Sequence, residues 1–178
     1  MVTDRKPLLT VFTPTYNRGH LIHQIYESLL AQDYYNFEWL VIDDGSQDQT
    51  QSLFDTWLKK DNPFEIRYYR QENQGLIRTL NRGIALSKGQ YFSKIDSDDY
   101  VVPDYAKNIR EWTSTIENEN DIYAVSGVRV TPDGHPLKGK WPLIPDIPGY
   151  VDATDLERSQ YDLDADMCEA WRTEVLRR

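Results

Sequence analysis

Two hydrophobic periods alternate along the first 100 residues, and that alternation admits few folds. Leu8-Leu9-Thr10-Val11-Phe12-Thr13 is a short apolar run of the length of a buried strand. Residues 19–31 then carry Leu21, Ile22, Ile25, Tyr26 and Leu29 at helical spacing. Phe37-Glu38-Trp39-Leu40-Val41-Ile42 reads as a second strand, stopped by Asp43-Asp44-Gly45-Ser46. A helix over about 47–60 follows, with Leu53, Phe54, Trp57 and Leu58 on one face, and Asn62-Pro63 breaks it. The pattern repeats with a strand over 64–69, a helix over 75–87 and a strand over 90–95. Gly83, inside the third helix, predicts close packing against a neighbour. Strand–helix alternation at this spacing predicts the α/β class, with right-handed βαβ units and a Rossmann-like, mostly parallel sheet flanked by helices.

Beyond residue 100 the alternation weakens. Residues 104–118 read as a helix entered through Pro103, and 122–125 and 127–131 as short strands. From Lys138 to Tyr150, Pro142, Pro145 and Pro148 recur at three-residue intervals, which predicts an extended loop. Ala165 to Arg178 reads as a helix, with Met167, Ala170, Trp171, Val175 and Leu176 on one face. No stop signal follows Arg177-Arg178, so the expectation is a chain cut from a longer protein, with residues 1–178 forming a single domain.

Composition removes several function classes. A net charge of −9 disfavours non-specific nucleic-acid binding, which needs a basic surface. A nucleotide as a small ligand stays open, because a divalent cation can bridge acid to phosphate. The one cysteine, Cys168, cannot form an internal disulfide and reads as a packing residue. No apolar stretch is long enough to cross a membrane or serve as a secretory signal, so the default location is cytoplasmic, with the inner membrane face as a peripheral option.

In parallel sheets, ligands bind outside the carboxyl ends of the strands. The loops after strands one, two and four are Thr13–Arg18, Asp43–Asp48 and Asp96–Tyr100, all polar and turn-rich. The last begins Asp96-Ser97-Asp98-Asp99, three carboxylates in four residues. Such crowding costs stability unless a cation or solvent compensates, and oxygen ligands suit Mg²⁺ or Mn²⁺. The blander reading is a solvated acidic turn, with Asp99 or Asp104 capping a helix. His20 and His23 sit three apart with no evident third ligand, which disfavours a metal site there.

Taken in order, the segments Thr10–Arg18, Val41–Thr50, Asn73-Gln74-Gly75, Leu80–Ala85, Lys88-Gly89 and Ile95–Tyr100 resemble family 2 of the inverting nucleotide-sugar glycosyltransferases, which have the GT-A fold. The resemblance covers nearly the whole chain and is tightest over residues 8–104. It implies a nucleotide-binding half over 1–104 and the start of an acceptor half over 105–178. Pro14, Thr15, Tyr16 and Asn17 would then contact base and ribose, Tyr16 by stacking unless it is a packed turn aromatic. Asp43 or Asp44 would accept from the base, commonly uracil, whose N3–H is a donor; Asp44 alternatively caps helix 47–60. Asp96 and Asp98 match the DxD pattern and would hold ribose and the metal, Mn²⁺ or Mg²⁺. Arg78 lies within reach of the nucleotide or is a surface charge. Trp141 covers the sugar or anchors its own loop.

The implied reaction is metal-assisted, inverting transfer from a nucleotide-diphosphate sugar, most naturally a UDP-sugar, to a hydroxyl of a glycan or other acceptor, as in cell-surface polysaccharide synthesis. The rivals are a nucleotide-sugar binding module without transferase activity and a nucleotidyltransferase. Against the latter, Thr13–Arg18 is not a Gly-rich basic phosphate loop. The family's base is a carboxylate in the acceptor half. Asp164, Asp166 and Glu169 are the late carboxylates here, but their segment reads as the start of a helix, so the base is expected past Arg178.

Overall fold

The computed structural model describes residues 6–114 and 170–177. Its elements follow the predicted alternation: β1 (Leu9–Thr15), α1 (His23–Leu30), β2 (Phe37–Asp43), α2 (Thr50–Trp57), β3 (Glu65–Arg70), α3 (Leu76–Leu86), β4 (Tyr91–Lys94) and α4 (Tyr105–Thr113). A short β5 (Ala170–Arg172) and the single turn α5 (Thr173–Leu176) complete the described part. The five strands form one sheet in the order β3-β2-β1-β4-β5. The first four run parallel, and β5 pairs antiparallel with β4.

Position in the sheet follows from composition. Every residue of β1 and β2 is buried, whereas edge strand β3 is only half-buried. Side chains alternate between the two faces. Val11 and Trp39 pack with Ile25 of α1, Phe54 of α2 and Ile109 of α4. Phe12, Leu40, Ile42 and Phe92 face the other way, against Leu80 and Ile84 of α3 and Leu176 of α5. Gly83 explains how closely α3 approaches: a Cβ there would lie 2.4 Å from the Phe12 ring. Glu38, fully buried in β2, is stabilised by Thr10 Oγ1 and the Lys88 N–H at 2.6 Å each and by Arg67 at 2.9 Å.

The structure corrects two expectations. Residues 170–172 are a strand, not part of a helix over 165–178, and only Thr173–Leu176 is helical. Pairing with Tyr91–Ser93 outweighs helical spacing there, since β5 covers the otherwise open edge of β4. The Thr173 hydroxyl, 2.8 Å from Gly89 O, fixes the junction. Asp44 does not cap helix 47–60. That helix starts at Thr50, and Asp48 supplies the carboxylate, accepting from the Thr50 N–H at 3.0 Å and the Thr50 hydroxyl at 2.5 Å.

The β1 strand runs two residues past its predicted end and takes in Pro14. This is possible because β4 pairs with β1 only as far as Phe12, so the missing N–H breaks no ladder on that side. The predicted strands 122–125 and 127–131, the proline-spaced loop with Trp141, Cys168, Asp164, Asp166 and Glu169 lie outside the described residues. Among the described residues, no helix is long and apolar enough to cross a membrane.

Candidate functional site

Parallel pairing of β1 to β4 brings the loops after all four strands to one edge of the sheet. The first two are stitched together. Asn17, at φ 54°, donates its N–H to Ser46 Oγ and accepts the Gln47 N–H at Oδ1, both at 2.8 Å. The Gly19 N–H donates to Asp48 Oδ2 at 2.9 Å, and the Asp44 N–H to Thr15 O at 2.8 Å.

Asp43 and Asp44 are neighbours with different tasks. Asp43 is fully buried; it accepts from the Ser46 N–H at 2.7 Å and the Tyr68 hydroxyl at 2.5 Å, with Arg70 Nε 3.8 Å away. Burial, then the bond to Asp43, push the Tyr68 phenol far above its usual pKa, so Tyr68 stays a donor. Asp44, 5% exposed, reaches across to the start of α3. It accepts from Gln71 Nε2 at 2.6 Å, the Gln74 N–H at 2.9 Å and the Gly75 N–H at 2.8 Å. Burial opposes its ionisation, but these donors outweigh it and hold its carboxyl below the ordinary aspartate range. Arg82 donates to Gln71 Oε1 at 2.7 Å, which leaves the Gln71 amide only its NH₂ to offer Asp44.

Between these loops and the end of β3 lies an open cleft of about 520 Å³, lined by Tyr16, Gly45, Gln47, Gln51, Arg70, Gln71, Glu72 and Asn73. Tyr16 is 46% exposed, unusual for an aromatic ring at the end of a wholly buried strand. Gly45, at φ 89°, lets the backbone turn where a Cβ would sit 3.1 Å from the Asn73 N–H nitrogen. Arg70 donates to Ser46 O at 2.6 Å and so bridges the second and third loops. Thr15 is 3% exposed, and its Oγ1 is the buried side-chain oxygen among the described residues that makes no hydrogen bond within the protein.

On the other side of β1, the acidic turn follows β4. Ser97 is buried, Asp98 is exposed, and the Asp99 N–H closes the turn on Asp96 O at 3.1 Å. Lys94 Nζ lies 3.0 Å from Asp96 Oδ2. No described residue hydrogen-bonds or ion-pairs the Asp98 side chain. Among the described residues, no three His, Cys, Asp or Glu converge as an all-protein metal cage, and His20 and His23 are both exposed. The donor set does fit a hard divalent cation that takes one or two carboxylates and completes its shell with water and phosphate oxygens.

The residues singled out in the sequence thus divide. Pro14 and Thr15 lie in the buried end of β1, Tyr16 lines the cleft, and Asn17 holds two loops together. Asp43 is the last residue of β2, Asp44 opens the loop after it, and Asp96 and Asp98 lie beyond β4. Arg78 is exposed on the first turn of α3 and does not line the cleft. Sequence reasoning gave Arg70, Gln71 and Asn73 no role in a cleft: Asn73-Gln74-Gly75 entered only as part of the resemblance, and Arg70 and Gln71 were passed over. The topology that placed the other loops also placed the one after β3, and three polar residues at the end of a strand were the available signal.

The family model described as "Glycosyl transferase family 2" matches residues 10–162. Glycosyltransferase GlyG of Streptococcus pneumoniae serotype 4 is 38% identical over 95 residues, covering 53% of this chain and 31% of GlyG. The chain spans about a third or less of the length of the curated relatives it matches. Among solved structures, the mannosyltransferase PcManGT from Pyrobaculum calidifontis, in complex with GDP-Man and Mn²⁺, superimposes with a TM-score of 0.61 at 26% identity, covering 71% of this chain and 37% of that one. TarS of S. aureus, in complex with UDP-GlcNAc, gives 0.57 at 25% identity, covering 69% and 36%. The described fold is that of the GT-A glycosyltransferases, and the chain belongs to glycosyl transferase family 2.

Proposed function

We propose that this protein transfers a sugar from a nucleoside-diphosphate donor, a UDP-sugar, to an acceptor hydroxyl with inversion and with the help of a divalent cation. The observation that carries the reading is the arrangement along one sheet edge. A polar cleft with an exposed tyrosine lies on one side of β1, and the acidic turn with Asp96 and Asp98 lies on the other. Thr15 sits between them, and a buried hydroxyl without a partner costs about 1–3 kcal/mol unless a ligand or water satisfies it. Neighbours of the same fold hold nucleotide sugars, one together with Mn²⁺.

In this reading, Tyr16 stacks on the base and Pro14, Thr15 and Asn17 shape the base and ribose site. Asp43 or Asp44 accepts the base N–H; both are buried and already accept two or three donors from the protein. An ionised aspartate is acceptor-only, which favours uracil N3–H over cytosine, whose N3 is itself an acceptor. In this reading Arg78 reaches the nucleotide from the exposed first turn of α3. Asp96 and Asp98 hold the cation, Mn²⁺ or Mg²⁺, which when bound stabilises negative charge on the departing diphosphate. Residues 1–104 form the nucleotide half, and 105–178 belong to the acceptor half. The acceptor oxygen forms a bond to the anomeric carbon as the bond to the diphosphate oxygen breaks, and the electron pair leaves with UDP. The hydroxyl proton passes to a carboxylate base that we place outside the described residues.

Incubating the protein with a panel of nucleotide sugars, Mn²⁺ and glycan acceptors tests the reading. UDP release with a product of opposite anomeric configuration by proton NMR is the expected result. Release of sugar 1-phosphate, with the uridylyl group passed to the acceptor or to added pyrophosphate, would indicate nucleotidyl transfer instead, and UDP-sugar binding without turnover a binding module.

A further inference from the structure

Lys94 is the last residue of β4, a strand whose other three residues are buried. Strand alternation sets it on the same face as Phe92, opposite Phe12 in register, so its stem runs along the α3 side of the sheet. The side chain is only 16% exposed, and an ammonium so placed needs a carboxylate. Asp96, 33% exposed, provides one: Lys94 Nζ donates to Asp96 Oδ2 at 3.0 Å. One of the two carboxylates assigned to the cation is therefore already paired with a cation belonging to the chain.

We propose that Lys94 sets the cation affinity of this site by competing for Asp96, so that the divalent ion binds firmly only together with the nucleotide diphosphate. This rests on the reading that Asp96 and Asp98 are the cation-binding pair. A second positive charge next to Asp96 repels an incoming divalent ion, and the ion must also win Oδ2 from a charge-assisted hydrogen bond. The negative charge of a diphosphate offsets both, because it attracts the ion and gives the ammonium a new anionic partner. Cation and nucleotide thus become coupled ligands, each raising the affinity for the other by the same factor. Asp98, exposed and with no partner among the described residues, carries no such competitor.

The test is direct Mn²⁺ binding, read from the free-ion EPR signal, with and without UDP, for the unmodified protein, Lys94→Met and Lys94→Arg. Replacing Lys94 by Met removes the competing charge and keeps the apolar stem. The expected result is at least tenfold tighter Mn²⁺ binding without UDP, and a smaller gain in Mn²⁺ affinity when UDP is added. Lys94→Arg keeps the charge and should stay within about threefold of the unmodified protein. Weaker or unchanged Mn²⁺ binding in a folded Lys94→Met protein would overturn the proposal. A merely structural role for Lys94 predicts that opposite sign. If Lys94→Met fails to fold, Lys94→Gln is the substitute with the same expected direction. Loss of all Mn²⁺ binding in Asp98→Asn tests the underlying site separately. If Asp98→Asn binds Mn²⁺ as the unmodified protein does, the site reading fails and the competition falls with it.

Discussion

The loops after β2 and β4 are both acidic, yet the protein treats their carboxylates in opposite ways. Asp43, Asp44 and Asp48 each accept two or three donors from the protein, and the loops they join are stitched across to β1, β3 and α3. Asp96 carries one lysine, and Asp98 is exposed with no side-chain partner among the described residues. Satisfied carboxylates make a rigid scaffold, whereas a carboxylate without a protein partner, set beside others in one turn, is held at a cost that a cation can relieve. The same amino acid therefore ties together the loops beside a cleft in one place and, at Asp98, stands without a side-chain partner among the described residues in the other.

This contrast can be broken by substitution. Asp44→Ala leaves the Gln71 amide and the Gln74 and Gly75 N–H groups without their acceptor, and should cost about 3 kcal/mol of stability. Urea midpoints measure this, and Asp98→Ala in the same assay should fall within about 0.5 kcal/mol of the unmodified protein. Equal losses at the two positions would erase the distinction. Next in size, Asp98→Asn should remove the Mn²⁺-dependent part of UDP binding, a loss of at least tenfold or about 1.4 kcal/mol, with stability unchanged. Tyr16→Ala should weaken UDP binding by about tenfold through lost base stacking, with and without Mn²⁺, again with little change in stability because the ring is 46% exposed.

The smallest expected effect is on pH dependence. Burial works against ionisation of Asp48 as of Asp44, and hydrogen bonds, from Thr50 and Gly19 for Asp48, overcome it and depress its pKa. The unfolded chain then binds protons more readily than the folded one. Their stabilisation is complete above the ordinary aspartate pKa of about 3.9 and is lost as pH falls through the lower folded values. Urea midpoints should therefore drop as pH falls below about 4. Asp48→Asn, less stable at neutral pH, should show a shallower drop.

Much of this fold is legible because its signals are local and repeated. Continuous apolar runs such as Val11-Phe12 and Trp39-Leu40-Val41-Ile42 announce strands buried on both faces, and Gly83 announces the contact with Phe12. Three-residue β5 is too short to show a period, and its pairing with β4 is a long-range choice, so it reads as helix until the partner strand is known. A motif marks Asp96 and Asp98 as candidates, and the structure sets them in the turn after β4. The partners that decide what a carboxylate is free to do come from distant segments. Tyr68 for Asp43, Gln71 for Asp44 and Gly19 for Asp48 are separated from them by 25, 27 and 29 positions, and no spacing rule reveals them.

The central claim is that a divalent cation on the acidic turn and a nucleotide in the cleft are joined through the diphosphate. Calorimetric titration of UDP into the unmodified protein, with and without Mn²⁺, tests it most directly. The account predicts UDP binding at least tenfold tighter with Mn²⁺, while uridine, which lacks the diphosphate, binds equally with or without the ion. Equal UDP affinity in the two conditions would contradict it.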